Sequence, residues 1–198
     1  MVKRLRLAIW VLALLALVGV GFGLTTLLTS LWTSPDQAVS VGGPFTLVDD
    51  SGKTVSDRDF RGKWMLVYFG YTHCPDVCPT VLTHMANALD ELGPKTAADV
   101  APLFITVDPD RDTPAVMHNY LSAFDVHIHG LSGSDDQVTA AEAEYRVYAA
   151  KHPEPDGSYS MDHSSIIYVM NPAGEFVANF TVETTVDAMA AKLRQLGV

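Results

Sequence analysis

Residues 64–79 read WMLVYFGYTHCPDVCP, and this stretch decides the fold class. The uninterrupted apolar run Trp64–Phe69 has the length of a strand and no alternation, which predicts a strand buried on both faces of a sheet. A short polar loop with Cys74 and Cys78 follows it. Pro79 lacks the amide proton that a first helical turn leaves unpaired anyway, so we predict that a helix begins there. A buried strand, a cysteine loop and a helix in succession indicate an α/β domain.

Cys74 and Cys78 are the only cysteines of the chain, so they act together or with a group from outside. If the backbone between them is roughly helical, a spacing of four puts both sulfurs on one side of a turn, where they can close a disulfide or bind a soft metal. The expected helix N-terminus at Cys78 favours its thiolate form. The alternative is a structural disulfide or a pair of buried thiols. A disulfide across so short a loop removes little entropy from the unfolded chain, which argues against a purely structural role.

The remainder of the chain alternates predicted strands and helices. Hydrophobic periodicity and turn residues predict a hairpin over 45–55, strands over 103–107, 166–170 and 176–180, and helices that begin near 79, 113, 134 and 186. The helix after the cysteines carries an apolar stripe at helical spacing, formed by Leu82, Met85, Ala86 and Leu89. This order predicts a thioredoxin-like α/β fold with an N-terminal hairpin. The cysteines then lie at the carboxyl edge of the sheet, where α/β proteins collect their sites.

The first part of the chain predicts a single transmembrane helix before this domain. Three basic residues within the first six positions precede an uncharged stretch over 7–28, whose 22 residues are enough to span a bilayer. The positive-inside rule then puts the N-terminus in the cytoplasm and the following domain outside. A cleaved signal peptide is the alternative, because the small glycines at 19–23 suit a cleavage site. We expect a cytoplasmic N-terminus and anchor over 1–32, a linker over 33–43 and one thioredoxin-like domain over 44–198.

Charge limits the class of partner. The formal net charge is −10 at pH 7, and the first acidic residue is Asp36, so the negative charge lies entirely beyond the apolar stretch. A negative surface is repelled by phosphate backbones, and we therefore expect no nucleic-acid partner.

His163 is the candidate third ligand if the cysteines bind copper. Soft sulfur suits Cu(I) and imidazole suits both copper oxidation states, so a third ligand would come from the seven histidines. His163 precedes the predicted strand 166–170, at the end of a polar loop over 153–160 that could bring it over the cysteines. From position alone, a surface or core histidine remains the alternative. His127 and His129 alternate as on one face of a strand, and a solvated strand edge is simpler for them than metal chelation.

Three separated motifs resemble the Sco/SenC family. They are Gly70–Pro79, Val107–Pro114 and the Asp162-His163-Ser164 run that precedes a strand with Tyr168. The family comprises membrane-anchored, thioredoxin-like proteins that bind copper and help to assemble the binuclear copper centre of cytochrome c oxidase subunit II. The resemblance implies that Cys74, Cys78 and His163 bind copper here, as Cu(I) or Cu(II).

The same resemblance implies roles for neighbouring residues. It suggests that Asp108 lies near the metal loop, although Asp108, Arg111 and Asp112 more simply form an ion-pair and turn network at the start of a helix. Asp162 and His73 adjoin the implied ligands in sequence. We expect these two residues to contact the ligands or to help a partner to dock.

We therefore expect a membrane-anchored copper chaperone of the bacterial inner membrane, with its C-terminal domain in the periplasm. Its expected partners are cytochrome c oxidase subunit II and a second periplasmic copper chaperone. The alternative is a thiol–disulfide oxidoreductase in which Cys74 and Cys78 are a redox-active pair that keeps the recipient's cysteines reduced. A redox or copper sensor would use the same residues, and the sequence alone leaves these functions open.

Overall fold

The structure is a computed structural model that describes residues 41–124 and 126–198, together with the isolated positions Gly19, Gly23 and Thr25. Its contacts divide the chain into two compact units, 1–39 and 40–198. The expected anchor, apart from those three positions, and most of the expected linker lie outside the described residues. Among the residues that are described, no helix is both long and apolar enough to cross a bilayer.

The second unit alternates strands and helices. Its strands are β1 (Thr46–Asp49), β2 (Thr54–Ser56), β3 (Trp64–Gly70), β4 (Val100–Thr106), β5 (His129–Ser132), β6 (Ala149–Pro153), β7 (Tyr159–His163), β8 (Ile166–Met170) and β9 (Phe176–Thr181). Its α-helices are α1 (Val77–Leu92), α2 (Pro94–Ala97), α3 (Pro114–Leu121), α4 (Asp135–Tyr145) and α5 (Val186–Leu196), with a short 3-10 helix over Asp57–Phe60.

Seven of these strands form one mixed sheet in the order β2-β1-β5-β4-β3-β8-β9. Strands β3, β4 and β5 are parallel, whereas β1 pairs antiparallel with β5 and β8 pairs antiparallel with β3. Helix α1 packs against α5, and α3 packs against β5. Gly70 pairs with Thr106, so the loops that follow β3 and β4 leave the same carboxyl edge of the sheet side by side.

The core confirms the hydrophobic patterns of the sequence. Every residue of β4 is buried, and so is every residue of β3 after Trp64. The predicted stripe on α1 is buried as well, at 0–7% exposure for Leu82, Met85, Ala86 and Leu89. Fully burying one large apolar side chain contributes about 1.5–3 kcal/mol, so β3, β4 and this stripe anchor the fold. The hairpins β1–β2 and β8–β9 also form where they were predicted.

Three sequence expectations are wrong in detail. Helix α1 begins at Val77 rather than at Pro79, because proline is tolerated throughout a first turn whose amides are unpaired. His129 begins β5 and pairs there with Leu103 of β4, whereas β1 joins β5 only at Leu131 and Ser132; His127 precedes the strand, so the two histidines do not alternate along one strand. The segment expected as a polar loop over 153–160 is the turn region of a hairpin, β6–β7, which forms a separate two-stranded sheet.

The capping box of α4 offers a test of local stability. Ser134 Oγ accepts a hydrogen bond from the Gln137 backbone amide at 3.3 Å, and Gln137 Oε1 accepts one from the Ser134 amide at 2.9 Å. Ser134→Ala should lower the free energy of unfolding by about 1 kcal/mol, measured by urea denaturation. Ser122→Ala is the control, since the exposed Ser122 hydroxyl bonds only a carbonyl in its own turn. Equal stability of the two variants would contradict the capping role.

Candidate metal centre

The two cysteines occupy different environments on one turn. Cys74 lies in the loop after β3 and is half-buried, whereas Cys78 is the second residue of α1 and is fully buried. Both are free thiols in this structure. The Cys78 backbone amide donates a hydrogen bond to Cys74 Sγ at 3.4 Å. The first turn of α1 therefore directs an unpaired amide at the more exposed sulfur.

His163, the last residue of β7, reaches the same turn from the other side. Its Nε2 lies 3.6 Å from Cys78 Sγ, and its Nδ1 lies 3.2 Å from the carbonyl oxygen of Ser164. Because a carbonyl only accepts, the Nδ1 atom carries a proton, and the Nε2 atom is the nitrogen that faces the sulfur. One donor atom from each of Cys74, Cys78 and His163 falls within 4.8 Å of the others, and no second such group occurs among the described residues.

Aromatic residues of β3 and its loop pack around these donors. The Tyr68 hydroxyl donates to Cys78 Sγ at 3.6 Å. The rings of Tyr68 and Tyr71 meet the His163 ring edge-on, with centroids 6.1 and 5.8 Å away. Gly70 leaves the space that Cys78 Sγ fills, because a Cβ at position 70 would lie 2.9 Å from that sulfur. The buried sulfur is thus fixed by packing on several sides.

The two thiols differ in acidity. The hydrogen bond from the Cys78 thiol lowers the pKa of Cys74 to about 5, with further help from the backbone amides of Cys78, Asp76 and Val77, although partial burial opposes the shift. The same hydrogen bond, together with burial, raises the pKa of Cys78 far above its usual value. The sequence-based expectation of a thiolate at Cys78 is therefore wrong. Cys74 carries the negative charge, because the Cys78 thiol and the amides of the helix start donate to its sulfur, whereas burial outweighs the Tyr68 hydroxyl that donates to Cys78.

The cysteine loop is tied to the end of β4 by Asp112. Its buried carboxylate accepts hydrogen bonds from the Thr72 amide at 3.0 Å, the Thr72 hydroxyl at 2.5 Å and the Thr106 hydroxyl at 2.7 Å. The sequence predicted Asp112 in an ion-pair and turn network with Asp108 and Arg111 at the start of a helix, but Thr113 caps α3 with its own hydroxyl, and Asp112 bonds the cysteine loop instead. The signal was Thr113 directly before Pro114, because a threonine cap followed by proline at the first helical position marks a helix start.

The three residues expected near the ligands lie around the site rather than in it. Asp108 is fully buried and bonds Arg111 and the Tyr159 hydroxyl. Asp162 is exposed and pairs with His152 Nε2 at 3.0 Å. His73 is also exposed, with Nδ1 3.1 Å from Thr72 Oγ1. In the described part of the chain, all three make their hydrogen bonds to groups other than the donor atoms.

A cleft of about 300 Å³ opens above the donors. Cys74 and His163 line it, whereas the fully buried Cys78 does not; Met161 and Asp162 form part of its wall. A molecule in this cleft meets the Cys74 sulfur and the His163 imidazole first. The third donor lies behind them.

The donor set fits a soft metal ion. Two sulfurs and one imidazole nitrogen suit Cu(I) and Zn(II), and hard ions such as Mg²⁺ prefer oxygen. Metal bonds of ~2.0–2.3 Å bring donors to within about 4 Å of one another, so atoms already within 4.8 Å need only a small closure. Three donors with an open cleft leave a coordination position for an incoming ligand.

Comparison with known sequences places the chain among relatives. A sequence profile described as SCO1/SenC matches residues 33–197. The mitochondrial SCO1 homolog 1 of Arabidopsis thaliana is 41% identical over 160 residues, which cover 79% of this chain and 48% of that protein. The human mitochondrial SCO1 homolog is 42% identical over 142 residues, which cover 71% of this chain and 47% of that protein. The chain thus spans about half the length of these curated relatives.

Comparison with solved structures also finds a Sco protein. The structure of Bradyrhizobium japonicum ScoI, solved with copper bound, superimposes with a TM-score of 0.73 at 49% identity, covering 79% of this chain and 99% of that chain. This likeness confirms the thioredoxin-like α/β fold predicted from the sequence.

The unequal thiols predict selective alkylation. Because the pKa of Cys74 is lowered to about 5, its thiolate is present at every pH above that value and is lost only on further acidification. The iodoacetamide rate should therefore reach half its maximum near pH 5, with Cys74 modified first, as read by peptide mass spectrometry.

Single-cysteine variants separate the causes of this acidity. Cys78→Ala removes the thiol donor and should raise the pKa of Cys74 towards the ordinary range. In Cys74→Ala, Cys78 should stay unmodified at neutral pH because it is buried. Prior modification of Cys78, or a wild-type midpoint near pH 8–9, would contradict the assignment.

Proposed function

The chain belongs to the SCO1/SenC family, and from this premise we propose that it binds copper through Cys74, Cys78 and His163 and delivers it during assembly of cytochrome c oxidase. The observation that carries the proposal is the convergence of two sulfurs and one imidazole nitrogen within 4.8 Å. Support comes from the copper-bound ScoI of Bradyrhizobium japonicum, which is 49% identical. In this function copper is the cargo and the protein is its carrier.

The geometry suits capture as well as release. Cys74 already lacks its proton at neutral pH and lies on the cleft, so it is the first sulfur that an arriving ion meets. Cys78 must release its proton to solvent as it binds, which couples the second bond to pH. His163 then closes the set through Nε2, the ring nitrogen that faces Cys78 Sγ. Since the cleft leaves one side open, a recipient's ligands add before the carrier's ligands leave.

The recipient that we propose is the binuclear copper centre of cytochrome c oxidase subunit II, and a second periplasmic copper chaperone is the proposed donor. We further propose that residues 1–32 anchor the protein in the bacterial inner membrane and that 33–43 connect the anchor to the domain 44–198 in the periplasm. The basic start followed by an apolar stretch over 7–28 supports this location.

The geometry also favours a second function, a thiol–disulfide oxidoreductase. A low-pKa, accessible thiolate beside a buried partner thiol is the arrangement of an exchanging cysteine pair. Cys74 would attack a recipient disulfide, Cys78 would resolve the mixed disulfide, and two electrons and two protons would pass to the recipient. A sensor would use the same groups without delivery. His163 is the residue that separates these functions, because a disulfide does not require an imidazole.

Removal of His163 distinguishes the carrier from the reductase. His163→Ala should weaken or abolish stable copper binding, because one of three ligands is lost, while Cys74 and Cys78 still form a disulfide with an unchanged thiol count. Copper stoichiometry is measured on the reduced protein beside thiol titration. The control is His118→Ala, since His118 is exposed and contacts Asp50 instead. Cells with His163→Ala should lack oxidase activity and should regain part of it with added copper.

Normal oxidase assembly by a His163 variant that binds no copper would overturn delivery and leave the reductase function. Tighter binding of Zn(II) than of Cu(I) by the reduced wild type would also count against copper as the cargo.

The proposed location has its own test. A reporter that is active only outside the cytoplasm, fused after Val198, should be active, and the protein should remain with membranes after a high-salt wash. Recovery of the protein in the soluble periplasmic fraction, with a new N-terminus between residues 23 and 35, would show that the apolar stretch is a cleaved signal peptide.

A further inference from the structure

We propose that Arg111 and Tyr159 form a clamp that positions His163 over the cysteines and thereby controls how long copper stays bound. The proposal rests on the proposed function, because it concerns the same ligand set. It adds two positioning residues that do not themselves touch the metal donors. Both act through the hairpin β6–β7.

The hairpin needs such a clamp because of its topology. Strands β6 and β7 pair only with each other and form a sheet of their own within the described residues. His163 is the last residue of β7 and Tyr159 is the first. Only Ser164 and Ser165 separate His163 from β8, which pairs with β3 in the main sheet, whereas the far end of β7, at Tyr159, has no such link. The place of the imidazole therefore depends both on this short link and on how the rest of the hairpin is attached to the main sheet.

Arg111 attaches the hairpin at Tyr159 in two ways. Its Nη1 donates to the Tyr159 carbonyl oxygen at 2.9 Å, and its guanidinium carbon lies 3.7 Å from the centroid of the Tyr159 ring. The same Arg111 donates through Nε to the buried carboxylate of Asp108. The Tyr159 hydroxyl donates to that carboxylate at 2.8 Å, which closes a cycle of three side chains. A guanidinium that stacks on an aromatic ring and donates hydrogen bonds through two of its nitrogens has little freedom to rotate.

The clamp continues to the ligand through Tyr71. The guanidinium of Arg111 also lies 5.8 Å from the centroid of the Tyr71 ring, so it stands between a tyrosine of the cysteine loop and one of the hairpin. Tyr71 is buried and its ring meets the edge of the His163 ring. The Nη2 atom of Arg111 is buried and has no acceptor among the described residues. The orientation of the Arg111 side chain is therefore set by stacking on the tyrosine rings and by its hydrogen bonds to Asp108 and to the Tyr159 carbonyl. Not every nitrogen of the guanidinium is hydrogen-bonded.

A second link between the same two segments provides a matched control. Lys151 of β6 pairs with Asp110 at 2.5 Å, and its Nζ lies 5.0 Å from the Tyr159 ring centroid. Both partners of this ion pair are about half exposed, at 47% and 56%, so solvent screens the attraction. Loss of Lys151 removes a charge contact to the hairpin and leaves the Arg111–Asp108–Tyr159 cycle intact.

The test compares Tyr159→Leu, Tyr159→Phe and Lys151→Ala with the wild-type full-length protein. Tyr159→Leu removes the stacked ring and its hydroxyl but leaves Arg111 paired with Asp108, so no buried charge is stranded. Copper release to an excess of a Cu(I) chelator should be roughly 10- to 100-fold faster in Tyr159→Leu, because a neighbour that orients a ligand is lost. Tyr159→Phe, which keeps the ring, should lie between Tyr159→Leu and the wild type, and Lys151→Ala should release copper at the wild-type rate.

Amide hydrogen exchange on the copper-free protein supplies an independent readout. In Tyr159→Leu, exchange of residues 160–163 should be faster, whereas exchange in β3 and the disulfide-forming thiol count should not change. A general loss of stability would instead speed exchange in β3 as well, and that outcome would overturn the clamp. Unchanged release and unchanged hairpin exchange in Tyr159→Leu would also overturn it.

His163→Ala separates failure of the clamp from failure of the proposed function. If His163→Ala has no effect on copper binding, the ligand assignment is wrong, while hairpin exchange in Tyr159→Leu still reports on the attachment. If His163→Ala weakens copper binding but Tyr159→Leu does not speed release, the ligand assignment stands and the clamp is wrong.

Discussion

The carboxylate of Asp112 is the constraint on which the site depends. It is fully buried, and three donors from Thr72 and Thr106 satisfy it. Thr106 ends β4 and Thr72 lies in the cysteine loop after β3, so one side chain joins the carboxyl ends of two adjacent parallel strands. A buried carboxylate without these partners would carry a large desolvation penalty. The loop is therefore held where its amides and its cysteines face the first turn of α1.

This placement of the loop explains why the two cysteine sulfurs differ in burial and in pKa. Cys78 is carried into the core by α1, against Tyr68 and in the space left by Gly70, and it keeps its proton. Cys74 stays at the cleft and collects the free amides of the helix start, which stabilise its charge. The same inequality serves metal capture and thiol exchange alike, since both begin with one reactive thiolate and end with the second sulfur. The imidazole is the part of the site that thiol exchange does not require.

The sequence predicts the strands and helices whose burial imposes an apolar pattern, and it does not predict the hairpin whose residues are mostly exposed. Strands β3 and β4 and the stripe on α1 could be predicted because burial imposes a continuous or helical apolar pattern on them. The hairpin β6–β7 was missed because its residues are largely exposed, and its Pro, Gly and Ser residues are also typical of a loop. Once β7 is known to be a strand, its pleat explains why Asp162 faces His152 while His163 faces Cys78. The acidity of the cysteines was assigned to the wrong residue because the helix terminus was considered without the burial of Cys78.

A carrier of the kind proposed above must bind its cargo firmly and still release it, and its three candidate ligands lie in parts of the structure that differ in burial. The sulfurs belong to the main sheet and its first helix, where movement would disturb fully buried residues such as Tyr68 and Leu82. The imidazole belongs to a two-stranded sheet in which Met161 is the one buried residue of β6 and β7, and Arg111 attaches that sheet at Tyr159. Displacing His163 therefore costs a few local contacts, whereas displacing a cysteine costs part of the core. In the carrier function proposed above, we therefore expect the histidine to leave first, while the two sulfurs hold the ion until the recipient's donors have replaced the imidazole.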